Sequence, residues 1–227
     1  MKLAFEFSKS GNLIYISHLD LSRLFLRVLR MASLRPVYSQ GYNPHPKMSL
    51  ALPLPVGLHS VCELIEFETD KALNVNTVNE MNDLLPEGIY IKELFIKPEY
   101  IKKSLASFVR SSSYEIMCEG IADAPLKLEE FFSKESVTAK KFNKKTNEKT
   151  SQEIRSLMLD HKIIKDMRGR MLAEVTLMAM PGRTLNPVSF FSAFCEASGL
   201  YDKDLSPVIT RTVILGSEGK PLKEMLK

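Results

Sequence analysis

The chain begins with alternation and then changes period. Residues 3–7 place apolar side chains on either side of Glu6, and residues 13–16 are again apolar, which predicts a strand or a hairpin about Ser8-Lys-Ser-Gly-Asn12. At Ser17 the spacing lengthens: Leu21, Leu24, Phe25, Val28, Leu29 and Ala32 recur at three and four, the interval that stacks side chains along one helix face. Ser17 followed by Asp20 has the spacing of a helix N-cap. Arg23, Arg27 and Arg30 share a different face of that helix, with Arg35 just beyond it. Strand-like segments follow at 36–38 and 48–58, then a clear strand at 61–68, an amphipathic helix over 75–85 and an alternating strand at 89–96. The predicted order is β-α-β-β-α-β.

The order recurs in the second half. A strand at 112–118, a short helix at 126–132, a strand at 137–142 feeding a lysine-rich turn, a strong strand at 171–180, a helix at 187–198 opened by Asn186 and Pro187, and a last strand at 208–215 give the same succession. The segment 150–165 fits this plan least, since Ile154, Leu157 and Leu159 suit a strand, a short helix or an excursion. The expected fold class is therefore α+β, two tandem ferredoxin-like (βαββαβ) units with antiparallel sheets. An N-terminal unit over 1–98 and a C-terminal unit over 105–227 are joined by the polar, proline-bearing stretch Lys97-Pro-Glu-Tyr-Ile-Lys-Lys-Ser104. Phe190, Phe191 and Phe194 look like a base-stacking platform, but their helical spacing with Leu185, Val188 and Ala197 places them in the core.

The chemistry concentrates in the loop Ser39-Gln-Gly-Tyr-Asn-Pro-His-Pro-Lys-Met-Ser49. Gly41 can take positive φ, Pro44 and Pro46 fix their own φ and extend Asn43 and His45, and two backbone donors are missing. Tyr42, Asn43, His45 and Lys47 are thereby presented from a rigid segment, which serves either as a ligand-contacting rim or as a stiff connector.

Composition narrows the classes. The 227 residues are 44% hydrophobic and 26% charged, enough apolar content for a substantial core. No run approaches the roughly 18 apolar residues of a membrane span, and Glu6 stands where a signal peptide would be apolar, so a cytoplasmic location and no membrane partner are expected. The net charge of +4 is unevenly spread: between Ser133 and Arg170 eleven Lys or Arg face five acids. That window, with Lys140, Lys141, Lys144, Lys145, Lys149 and Arg155, is either the footprint of a polyanion such as RNA or a solvated hairpin. Cys62, Cys118 and Cys195 are too far apart in sequence for a cysteine-based metal or cluster motif and are read as reduced, packed thiols. Walker-type, His-Glu-x-x-His and Gly-x-Ser-x-Gly motifs are missing, which removes the usual support for phosphoryl-transfer, zinc-hydrolase and serine-hydrolase readings.

Several motifs carry a likeness. Phe5-Glu-Phe-Ser-Lys-Ser-Gly11, Tyr15-Ile-Ser-His-Leu-Asp20, Gly41-Tyr-Asn-Pro-His-Pro-Lys-Met-Ser49 and Leu52-Pro-Leu-Pro-Val-Gly57, with weaker echoes in Glu153-Ile-Arg155 and Arg183-Thr-Leu-Asn-Pro187, resemble the radical SAM-linked proteins, a domain of unknown function fused to or encoded beside radical SAM enzymes. One departure is Glu153, where members of that family often carry aspartate. The resemblance implies an accessory role beside a radical SAM enzyme, with RNA or a ribonucleoprotein as substrate. This chain would hold no cofactor of its own; the iron-sulfur cluster and S-adenosylmethionine would belong to the partner, since the three cysteines here lack the close spacing a cluster needs. The rival readings are a metal-independent RNA endonuclease of tandem ferredoxin-like fold, using His18 and His45 as acid and base with Lys47 stabilising charge, and a pure protein-interaction adaptor. Otherwise Arg23, Arg27, Arg30, Tyr42, Asn43, His45, Lys47 and the lysine-rich window are the expected contacts for RNA or partner.

Overall fold

The computed structural model describes residues 1–71, 73, 76–143, 148–167, 170–200 and 204–227. It is a mixed α+β fold with largely antiparallel strands, divided into two compact units: residues 1–110 with 211–227, and residues 111–210. The first unit therefore takes up the last 17 residues of the chain, which the sequence places in its second half.

In the first unit, β1 (Lys2–Lys9), α1 (His18–Met31), β2 (Met48–Leu50), β3 (His59–Glu68), α2 (Thr77–Leu84) and β4 (Ile89–Ile96) follow one another in the predicted order. β1 lies between β3 and β4, and β2 adds to β3, with every pair antiparallel. The inner face is the expected stripe: Leu21, Phe25, Val28 and Leu29 of α1 pack with Leu3, Phe5 and Phe7 of β1, and Phe7 meets Phe25 at 4.7 Å between ring centroids. Ser17 caps α1, its hydroxyl accepting from the Asp20 N–H at 3.2 Å. One expectation is corrected here. Residues 11–15 form a 3-10 turn after β1 rather than the return strand of a hairpin, because the chain must bring Ile14 inward and Lys9 donates its buried ammonium to the carbonyls of Ile14 and Ile16.

The supposed linker also departs from expectation. Lys97 is buried and bonded to Glu66, and Leu105 is fully buried, so 97–105 is an integral part of the first unit.

In the second unit β5 (Ser111–Glu119) pairs in register with β9 (Arg170–Met180) across nine residues, and β8 (Met158–Met167) pairs with the other edge of β9. β10 (Arg183–Thr184) extends β9 as a short hairpin. β6 (Thr138–Asn143) is not the second strand of this sheet. It pairs with β7 (Glu148–Glu153) as a separate two-stranded ribbon, and the segment that follows supplies β8. α3 (Ala124–Ser133) and α4 (Pro187–Ala197) pack through Phe131 against Phe190 and Phe194, each at 5.6 Å, as the helical spacing of those rings predicts. β11 (Val208–Leu215) is the last strand in the element order, and the division between units falls within it. Among the described residues, no helix is long and apolar enough to cross a membrane.

Candidate functional site

The loop at 39–47 is tied at both ends by its own backbone. The Ser39 N–H donates to the His45 carbonyl at 2.8 Å, and the His45 N–H donates back to the Ser39 hydroxyl at 2.9 Å. Below this clasp three chain segments are laced together: Lys47 N–H to Val37 C=O at 2.8 Å, Val37 N–H to Glu68 C=O at 2.9 Å, and Glu68 N–H to Lys47 C=O at 3.0 Å. Gly41 sits at φ +132°, a conformation that side chains rarely adopt, and turns the tip. Tyr42 is fully exposed there, and Asn43 is exposed beside it. The rigidity predicted from the prolines is thus supplied equally by hydrogen bonds.

Beneath the loop lies a groove of about 360 Å³ whose walls include His45, Lys47, Lys2, Lys102, Phe67 and Met48. Its floor holds two carboxylates from β3. Glu66 accepts from Lys97 Nζ at 2.5 Å, from the Leu105 N–H at 2.8 Å and from the Ser49 hydroxyl at 3.0 Å. Glu68 accepts from Lys47 Nζ at 3.0 Å and lies 3.7 Å from Lys2 Nζ. Burial alone pushes the Glu68 carboxyl up, but the Lys47 hydrogen bond and the charges of Lys47 and Lys2 outweigh it and hold the group below its ordinary value. Lys102 lines the groove and has no carboxylate within ion-pair distance among the described residues. The groove is consequently a place where ammonium groups outnumber acids, with an imidazole at its lip that makes no hydrogen bond among the described residues.

His18 does not line this groove. It opens α1 at an exposed position, where its carbonyl accepts from Ser22 Oγ at 2.8 Å. Acid–base catalysis requires both groups within reach of one reacting atom, and only His45 borders the groove.

The arginine face of α1 divides three ways. Arg23 pairs with Asp20 at 3.0 Å on the open surface; the Ser17 hydroxyl, with Arg23 adding to it, holds that carboxyl below its ordinary value. Arg27 is exposed and makes no ion pair among the described residues. Arg30 donates to the Tyr38 hydroxyl and borders a second pocket.

In the second unit, Lys140 of β6 pairs with Glu196 of α4 at 2.7 Å. Lys141 and Lys149 stand on β6 and β7, but their side chains, and Lys144 and Lys145 entirely, lie outside the described residues. Arg155 is absorbed locally, its guanidinium donating to the carbonyls of Lys134 at 3.1 Å and Met158 at 3.3 Å. Glu153 likewise latches the ribbon. It accepts from Ser136 Oγ at 2.6 Å and the Arg155 N–H at 2.7 Å, bonds that hold its carboxyl low. The predicted contact residues thus fall in both units, with His45 and Lys47 brought together at one groove and Lys140 and Arg155 engaged elsewhere.

Sequence reasoning missed Glu66, Lys97, Lys2 and Lys102. The available signal was Glu63 and Glu66 inside an otherwise apolar strand, since a buried carboxylate requires a cation and a set of donors from somewhere in the chain.

Solved structures similar to this chain include two that are matched over 93% of its length. One, "Structure of H/ACA RNP bound to a substrate RNA containing 2'-deoxyuridine", matches with a TM-score of 0.49 at 6% identity. The other, "Crystal Structure of a Cbf5-Nop10-Gar1 Complex", matches with a TM-score of 0.47 at 8% identity. The chain spans about half the length of these solved chains, 47% and 48%. No curated protein matches it. A family model does, over residues 2–187, and the chain belongs to that family, described as an uncharacterized protein conserved in bacteria (DUF2344).

Proposed function

We propose that this protein is an accessory that binds RNA or an RNA–protein particle and presents it to a radical SAM enzyme in the cytoplasm, the partner holding the iron-sulfur cluster and S-adenosylmethionine and carrying out the reaction. The observation that carries the binding half is the groove beneath the clasped loop. Its rim of Lys2, Lys47 and Lys102 suits phosphate oxygens, and the loop is ordered before any ligand arrives, so contact costs little further entropy. The partner half rests on the likeness of the loop and helix motifs to radical SAM-linked proteins. In this reading the two units are ferredoxin-like halves. The first is supported by its β4, β1, β3, β2 strand succession, and the second by β5 and β8 flanking β9, with the β6–β7 ribbon as an insertion.

The test is crosslinking and purification from cells, scored for bound RNA and for a co-purifying iron-sulfur protein, on wild type and on His45→Ala and Lys47→Ala. Both changes should weaken retention of RNA or partner, and the isolated protein should leave RNA uncut. Metal-free cleavage lost in both His18→Ala and His45→Ala would replace the accessory reading with the endonuclease one. A partner retained without RNA would reduce the protein to an adaptor, and loop variants that retain both ligands would leave 41–49 as scaffold.

A further inference from the structure

The second pocket of the first unit has a different chemistry from the groove. It lies where α1 ends as an open pocket of about 340 Å³, lined by Arg30, Ser33, Leu34, Arg35, Pro36, Tyr38 and Lys71. Its lining carries three full cations and no carboxylate. Among the described residues none of the three cations has an acid within ion-pair distance; Glu68, two residues before Asp70, is engaged by Lys47 and Lys2. Like charges gathered round one concavity repel one another, and an anion seated among them turns that repulsion into attraction.

The lining is also held in place. Ser33 takes the left-handed conformation at φ 60°, which ends the helix, and the Leu34 N–H reaches back to the Leu29 carbonyl at 2.8 Å. The helix carbonyls of Leu29 and Arg30 are therefore occupied instead of facing an incoming anion, Arg30's by the Ser33 N–H at 3.1 Å. Pro36 bridges to Thr69, and the Lys71 N–H donates to the Thr69 hydroxyl at 3.2 Å, so the two chain segments bearing Arg35 and Lys71 are tied together. Arg30 donates to the Tyr38 oxygen, which fixes the guanidinium and leaves the phenolic hydrogen to donate onward. Arginine forks, an ammonium and two hydroxyl donors form a set suited to a phosphate group that carries more than one negative charge. The volume is in the range of sites for small organic ligands, and Pro36 and the Tyr38 ring supply apolar faces for the remainder of such a molecule.

From this we infer that the Arg30–Arg35–Lys71 pocket binds a nucleoside phosphate monoester, carried either on a free nucleotide or on the 5′ end of an RNA. The site is separate from the groove at His45 and stands whether or not that groove takes RNA.

The experiment is calorimetric titration of the full chain with adenosine 5′-monophosphate, with its cyclic 3′,5′-diester, and with a short oligoribonucleotide bearing either a 5′-phosphate or a 5′-hydroxyl. The monophosphate or the 5′-phosphorylated oligomer should bind, and the matching diester or hydroxyl form should bind more weakly. Arg35→Gln and Lys71→Gln should each weaken binding by roughly tenfold or more, as expected for loss of a charge-assisted contact. Both residues are exposed, so thermal melts should match wild type, and Lys47→Gln, outside this pocket, should leave the binding of adenosine 5′-monophosphate unchanged. Equal binding of the mononucleotide and the phosphorylated oligomer identifies a free nucleotide as sufficient, whereas binding of the oligomer alone identifies the RNA end. The inference is overturned if neither phosphate monoester binds, if the diester and hydroxyl forms bind as well, or if Arg35→Gln and Lys71→Gln bind like wild type. Loss of adenosine 5′-monophosphate binding in Lys47→Gln alone would assign the anion to the groove.

Discussion

Arg211 and Glu63, 148 positions apart in sequence, form a buried ion pair in which Nη1 lies 2.8 Å from one carboxylate oxygen and 3.1 Å from the other. Both side chains are only 1% exposed. The same guanidinium donates to the carbonyls of Leu52 and Pro53, at 2.7 and 3.3 Å, and so fixes the Leu-Pro-Leu-Pro segment that follows β2. Removing the cation while keeping the acid leaves a charge stranded in the core. Arg211→Met should therefore cost about 3–5 kcal/mol in urea unfolding, and adding Glu63→Leu should recover a large part of it. A single variant as stable as wild type would show that Glu63 finds another cation, for which Lys9 is the candidate, since its burial lowers its pKa while the Glu63 charge raises it.

The thiols should be inert. Burial, with the Glu63 charge adding to it, pushes Cys62 up to about 12, and burial pushes Cys195 to about 11. Because the thiolate is the reactive species, and burial also pushes Cys118 up, iodoacetamide at pH 8 should label none of the three cysteines in the native state and all three after unfolding. Rapid native labelling, read by intact mass, would mean that the segment around the labelled cysteine opens locally.

The first unit was more legible in sequence than the second, and the reason is the local signals carried by α1. The apolar stripe from Leu21 to Leu29 and the Ser17–Asp20 cap are local signals, and both appear in the helix as read. β8 carries register shifts between Met158 and Asp160 and between Ile163 and Lys165, which break the period-2 alternation that a strand reading depends on. With that signal broken, the sequence pattern favours the more regular 137–142 for the sheet position that β8 occupies. The groove was half legible. His45 and Lys47 announce themselves in a proline-clamped loop, but Lys2, Lys97 and Lys102 reach it from distant parts of the chain, and Lys97 and Lys102 sit in a stretch whose composition is that of a linker. Pairings such as Lys97 with Glu66 follow from tertiary structure, which a single sequence does not order.

The Lys47–Glu68 pair makes a pH prediction. Glu68 titrates below its ordinary value in the fold, so its contribution to stability is present above the unfolded-state value and is lost as pH falls through the folded one. Lys47→Gln removes the hydrogen bond and the larger share of the charge. The Glu68 carboxyl should then move upward in a carbon-detected NMR titration, and the stability difference between variant and wild type should vanish at acid pH. An unmoved Glu68 midpoint would assign its depression to Lys2 instead.

The β6–β7 ribbon makes the last prediction, and it separates phosphate contact from solvated charge. Lys140 is already paired with Glu196 at 2.7 Å, so part of its charge is spent within the protein, and its reversal to glutamate would add repulsion against α4. Lys141, Lys144 and Lys149 are the better probes. If these lysines neutralise phosphates on a single-stranded RNA, each contact releases counterions and adds about 0.7 to the slope of log K against log salt. Reversing all three should then flatten the slope by about 2 while binding at low salt falls most, measured by fluorescence anisotropy across a salt series. The fold should persist, because the β5–β9 and β8–β9 pairs do not involve these positions. A slope equal to wild type, with circular dichroism unchanged, would leave the ribbon as a solvated face and confine RNA contact to the first unit.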